Sequence, residues 1–180
     1  MPLKNTESHY GSLTKVFHWL MFFLLLGAII AGNLDAAMPD GAEKDEALLM
    51  HKGFGILILI LGLSRLLWRV LNTTPKHDAS LSSTQQKLAS SVHWLLYVLM
   101  LAQPVTGILM SQSAGYPASF FGLFDVPTLV EKSKDAAGVF HEMHEVIWVL
   151  LALFSIGHIG ASLHHHFVKK NGVMRRMLRG

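Results

Sequence analysis

Four histidines, His18, His51, His144 and His158, lie inside or at the ends of strongly apolar stretches of this 180-residue chain. His144 and His158 are fourteen residues apart in a single apolar run. At about 1.5 Å rise and about 100° per residue, one helix through both separates them by about 21 Å and turns them by only about 40°. One helix face then presents an imidazole near each side of a hydrocarbon layer about 30 Å thick. Ionisable groups at such depth are costly and mark functional sites, and neutral imidazole is a common axial ligand for haem iron. The chemistry these residues predict is haem ligation and electron transfer within a membrane.

The elements that must position them are helices. With 51% hydrophobic residues and mean hydropathy +0.39, the chain is too apolar for an ordinary soluble domain. The apolar runs 16–32, 47–71, 92–110 and 146–168 are each about long enough to cross a bilayer. They predict an all-α fold: a single integral membrane four-helix bundle over 1–180, with spans at about 15–33, 47–71, 91–111 and 143–168. The chain contains no cysteine, so it offers no disulfide, no iron–sulfur ligand and no covalent haem attachment. Any haem is therefore a non-covalent b haem. The first span is expected to be retained rather than cleaved as a signal peptide, because Glu7 and two histidines, His9 and His18, precede or open it and cleavage would discard His18.

Charge sets the expected topology. The N-terminus, the segment between spans two and three and the C-terminus hold Lys4, Lys15, Arg65, Arg69, Lys76, Lys87, Lys169, Lys170, Arg175, Arg176 and Arg179, eleven of the fifteen Lys and Arg. The other two loops hold ten of the twelve acids, among them Asp35, Asp40, Glu43, Asp45, Glu46 and Asp125. Positive residues favour the cytoplasmic side, so both termini are expected there and the acidic loops outside. The basic stretch 169–179 reads as a surface helix on anionic lipid, and the positive charge needs no nucleic acid to explain it. The long connection 111–142 carries an apolar centre, 120–124, suited to lying on the membrane surface or capping a site.

Topology converts sequence position into depth. His18 opens span one on the inner side, His51 opens span two on the outer side, His144 opens span four outside and His158 lies deep toward the inside. The predicted pairs are His51 with His144 for an outer haem and His18 with His158 for an inner one, each joining two different helices. His93 competes with His158 as partner of His18, and His141 competes with His144. The rotation of about 40° relative to His158, against about 100° for His141, favours His144. Gly53, Gly55, Gly157 and Gly160 flank histidines, where a flat macrocycle could approach the backbone or helices simply pack. Arg65 falls near the level of the inner haem as a candidate propionate partner or a snorkelling anchor, with Arg69 one turn nearer the cytoplasm. His9 and His77 read as solvated. His164, His165 and His166 read as an interfacial marker, with weak metal binding or a quinone pocket as alternatives.

The chain resembles the bacterial dihaem cytochrome b561 family over essentially its whole length. The stretches that carry the resemblance are Phe17-His18-Trp19, Met50-His51-Lys52-Gly53-Phe54-Gly55 and Arg65-Leu66-Leu67-Trp68-Arg69. His93-Trp94-Leu95-Leu96-Tyr97, Phe121-Gly122-Leu123-Phe124-Asp125-Val126-Pro127 and His158 leading to His164-His165-His166-Phe167 complete them. The pattern is also similar to the cytochrome b subunits of membrane hydrogenases and formate dehydrogenases. The resemblance implies four helices, two b haems held by His18, His158, His51 and His144, and electron exchange with ubiquinone in a bacterial inner membrane. Some members oxidise superoxide on the periplasmic side, which would give Lys52 a part in attracting an anion, although the acidic outer loops oppose that steering. His93 and His165 are the implied candidates for quinone contact.

Three functions compete. The first is a self-contained electron conduit between a periplasmic donor, superoxide included, and the quinone pool. The second is a cytochrome b anchor for a separate dehydrogenase or periplasmic partner, which the long loop 111–142 suits. The third is a haem-free metal-binding or transport protein. Pro104 and Gly107 mark one kink in span three, but transporters show repeats and broken helices near the midplane, and here the histidines cluster toward the two faces.

Overall fold

The structure, a computed structural model, describes residues 2–178; Arg179 of the basic stretch and the side chain of Asp35 lie outside what it describes. The four apolar runs form α1 (Ser12–Ala37), α2 (Ala42–Leu71), α3 (Ser83–Ser113) and α4 (Lys134–Phe167). Each is long and apolar enough to cross a membrane. A two-stranded hairpin, β1 (Ser119–Phe120) with β2 (Phe124–Asp125), interrupts the α3–α4 connection, and a single turn, α5 (Arg175–Leu178), ends the chain.

The helices outrun the apolar stretches because a helix continues until something caps it. Ser82 and Gln85 form a reciprocal capping box that starts α3, and the Ser133 hydroxyl accepts from Ala136 N at 3.3 Å to start α4. Pro104 lies inside α3, which runs on through it rather than breaking there. α1 packs along α2, α3 along α4, and α2 against α3. Met21, Leu24, Ile58, Tyr97, Leu99, Met100 and Leu151 meet as the core. Of the 34 residues of α4 only Leu151 is buried, while Leu153 and Ile156 are 60% and 69% exposed, as suits a helix with one face toward lipid.

Both termini and the α2–α3 connection gather at one end of the bundle. Asn5 Nδ2 donates to the Thr73 carbonyl (2.8 Å), and Lys76 pairs with Glu7 (2.6 Å). The basic tail, expected to lie on lipid as a surface helix, instead folds back over this end. Arg176 donates to the Lys76 carbonyl (2.6 Å), Asn171 to Ser80 Oγ (2.9 Å), and Trp19 Nε1 to the Met177 carbonyl (3.3 Å). Arg176 and Trp19 thereby satisfy backbone carbonyls, and Asn171 ties the tail to the Ser80 hydroxyl. Hydrogen bonds from the Ser80 hydroxyl and backbone hold the Asp78 carboxyl below its usual range, and burial under the cap pushes the Tyr10 phenol up.

At the opposite end the strap 114–132 crosses the bundle. Phe121 (φ 51) and Gly122 (φ 75) form a tight turn closed by Leu123 N donating to the Phe120 carbonyl (2.9 Å). A phenylalanine in the left-handed region costs about 1–2 kcal/mol, and packing offsets it. The Phe121 ring fills the space beside Gly53 and meets Phe54 edge-on at 5.4 Å. A Cβ at position 53 would overlap that ring. Gly53→Ala should therefore lift the strap, destabilising the protein by about 1–3 kcal/mol and raising protease cleavage within 114–132, measurable by melting and limited proteolysis in detergent.

Candidate functional site

The bundle brings the histidines into two ring pairs. At the loop end His51 of α2 and His144 of α4 stand with centroids 6.2 Å apart and ring planes at 80°. At the termini-bearing end His18 of α1 and His158 of α4 stand 6.2 Å apart at 66°. Both pairs cross between helices that are not principal packing partners, α2 with α4 and α1 with α4. His51 with His144 and His18 with His158 are therefore the residues that would hold a metal-bearing group between two helices. His93 lies against His158 at 5.3 Å.

Neighbouring groups set which ring nitrogen is free. The Ala28 carbonyl lies 2.8 Å from His51 Nδ1, so that nitrogen donates and Nε2 keeps its lone pair. Thr106 donates its hydroxyl hydrogen to the Gln103 carbonyl (2.8 Å), leaving Oγ1 to accept from His144 Nδ1 at 3.1 Å. His144 Nε2 is free in the same way. Each ring rests on a glycine of a third helix: a Cβ at Gly32 would come within 2.8 Å of His51, and one at Gly107 within 3.0 Å of His144. A cavity of about 360 Å³ opens between them, lined by His51, His144, Gly55 and Gly107, with His141 and Lys52 beside them.

The other end is wired differently. Arg65 Nη2 lies 3.1 Å from His18 Nδ1, and a guanidinium can only donate, so His18 Nδ1 accepts and its proton sits on Nε2. Arg65 lies over the Tyr97 ring (5.2 Å), and Arg69 lies over Trp94 (5.3 Å) and Tyr97 (5.5 Å). His165 Nδ1 accepts from Asn171 of the tail at 2.9 Å. Lys52, next to His51, donates to the Pro117 carbonyl of the strap at 3.0 Å.

Gly157 and Gly160 face open space, and Gly53 seats Phe121 rather than a histidine. The glycines that touch the imidazoles, Gly32 and Gly107, are fixed by which helix stands behind each ring. No local spacing in the chain signals that. The donor set at the loop end, two imidazoles on different helices with Nε2 left free and glycines against each ring, fits a flat metal macrocycle.

Comparison with known proteins agrees in extent as well as in kind. The prokaryotic cytochrome b561 family model matches residues 9–180. Cytochrome b561 homolog 2 of Escherichia coli (strain K12) is 34% identical over 183 aligned positions, covering 99% of this chain and 95% of that protein. Cytochrome b561 homolog 1 of the same organism is 30% identical, covering 93% and 96%. A probable superoxide oxidase CybB of Yersinia pestis is 29% identical, covering 94% and 95%. With the family match running from residue 9 to residue 180 and a 34% identical relative covering almost all of it, the chain belongs to the prokaryotic cytochrome b561 family.

Proposed function

We propose that this bacterial membrane cytochrome transfers electrons across the inner membrane between a periplasmic donor and the ubiquinone pool through two non-covalent b haems. His51 and His144 would hold the haem at the loop end, His18 and His158 the haem at the termini-bearing end. The observation that carries this reading is the pair of equal 6.2 Å ring separations, both built on α4. When bound, each haem iron supplies one-electron exchange between its ferrous and ferric forms.

The protein's own part is to hold and insulate. Ala28 and Thr106 keep the protons of His51 and His144 on Nδ1 and leave each Nε2 lone pair free, and Gly32 and Gly107 let the rings sit flush against α1 and α3. Among the described residues no three His, Cys, Asp or Glu side chains gather as a metal site. A metal held by two imidazoles here would need further ligands that a macrocycle would supply, which supports the haem reading over haem-free transport. The segments holding eleven of the fifteen Lys and Arg belong to the termini-bearing end, which supports a cytoplasmic position for it.

His93, beside His158, and His165, under the tail, are proposed to meet the quinone headgroup at that end and to pass protons to it. Superoxide as donor is supported by the name of the Yersinia pestis relative. The exposed acids Asp40, Glu43 and Asp45 at the loop end oppose attraction of an anion. A second reading, an anchor for a separate redox partner, draws support from the strap, where Tyr116, Leu123 and Leu129 are exposed.

Purified protein should carry two haems per chain with low-spin reduced-minus-oxidised bands. His144→Ala should leave one haem and His158→Ala the other; unchanged haem content in both variants sinks the ligand assignment. Thr106→Val should retain the fold yet release the loop-end haem about tenfold more readily, as loss of a histidine's outer hydrogen bond does, measured as haem transfer to apomyoglobin.

A further inference from the structure

The termini-bearing end holds a buried cation that no described carboxylate pairs with. Lys15, near the start of α1, is only 8% exposed, and its Nζ has no hydrogen-bond partner. Of the ion pairs among the described residues, Lys44–Asp40 lies at the loop end and Lys76–Glu7 at this end, and neither includes Lys15. A buried ammonium without an acceptor is strongly disfavoured. His18 follows Lys15 by three residues, so the two side chains are neighbours on one helix face.

Arg65 supplies the second observation. Its hydrogen bond to His18 Nδ1 keeps the His18 proton on Nε2. A His18 that ligates through Nε2 must carry its proton on Nδ1, and Arg65 must then turn to another acceptor. Lys15 lacks an acceptor and Arg65 needs one, and both flank His18.

We propose that Lys15 and Arg65 form a carboxylate subsite that grips a propionate of the haem held by His18 and His158. The proposal rests on the dihaem reading above and adds Lys15 as a positioning residue for that haem. A lipid phosphate offers the same anionic oxygens, but the side of α1 open to lipid is that of Val16 and Leu20, which are 57% and 39% exposed. Lys15 is enclosed by the protein, one helical turn from His18 on the same face of α1.

The test uses the purified holoprotein and its Lys15→Met, Lys15→Gln and Lys15→Arg variants. Two haems per wild-type chain, one of them missing in His158→Ala, are the precondition; any other count overturns the dihaem reading itself and not the subsite alone. Potentiometric titration then follows each haem. Removing a nearby cation disfavours the reduced, more negative form, so Lys15→Met and Lys15→Gln should lower the midpoint of the His158-dependent component and leave the other unmoved. Transfer of that haem to apomyoglobin should speed up about tenfold or more, the weight of one charge-assisted hydrogen bond. Lys15→Arg should restore both properties. Unchanged midpoint and transfer rate in both neutral variants would overturn the subsite. So would a loss of co-purifying anionic lipid, or a raised ubiquinol KM, with haem properties intact; these would assign Lys15 to lipid or to quinone.

Discussion

A neutral imidazole inside a bilayer has two nitrogens to satisfy and one proton with which to do it. At the loop end of this bundle the problem is solved by neighbours on other helices. The Ala28 carbonyl takes the His51 proton, and a Thr106 hydroxyl, already committed to the Gln103 carbonyl, takes the proton of His144. Each ring is left with one lone pair, and the two rings stand at a metal-bridging separation. The helix arrangement follows from this. α1 must bring Gly32 behind His51, and α3 must bring Gly107 behind His144, because any side chain there would push the ring out of line.

α4 serves both ends and is for that reason the least buried of the long helices. It donates one imidazole to a partner on α2 and another to a partner on α1, and its remaining apolar side chains are left for lipid. The two ends differ in electrostatics. The loop end has Lys52 beside its rings, tied to the Pro117 carbonyl of the strap, and exposed acids on its rim. At the termini-bearing end Arg65 contacts His18, Lys15 is buried one turn away on α1, and Arg69 lies over Trp94 and Tyr97, with the tail meeting Trp19.

Much of this was legible along the chain. Four apolar runs of spanning length specify four helices, and the absence of cysteine limits any haem to the b type. Fourteen residues between His144 and His158 place two imidazoles on one face, and charge places His18 and His51 at matching depths. These are local properties, set by helical rise, helical twist and the thickness of a bilayer. The helix ends were less legible, since α3 and α4 extend through polar turns to Ser82 and Ser133. The hairpin at Phe121 was read only as an apolar stretch, because a left-handed phenylalanine is stable only with Gly53 beneath its ring.

By itself, then, the sequence determined the four apolar helices and where along each of them the histidines fall. Only the tertiary structure decided which glycines seat the rings, which nitrogen each ring keeps free, that Arg65 holds His18 in the opposite tautomer, and that Lys15 is enclosed without a partner. The physical reason is rotational. Depth along a membrane helix follows from counting residues, but the direction a side chain faces depends on how each helix is turned against its neighbours. That turn is set by contacts such as Met21, Ile58, Tyr97 and Leu151 meeting from four separate helices.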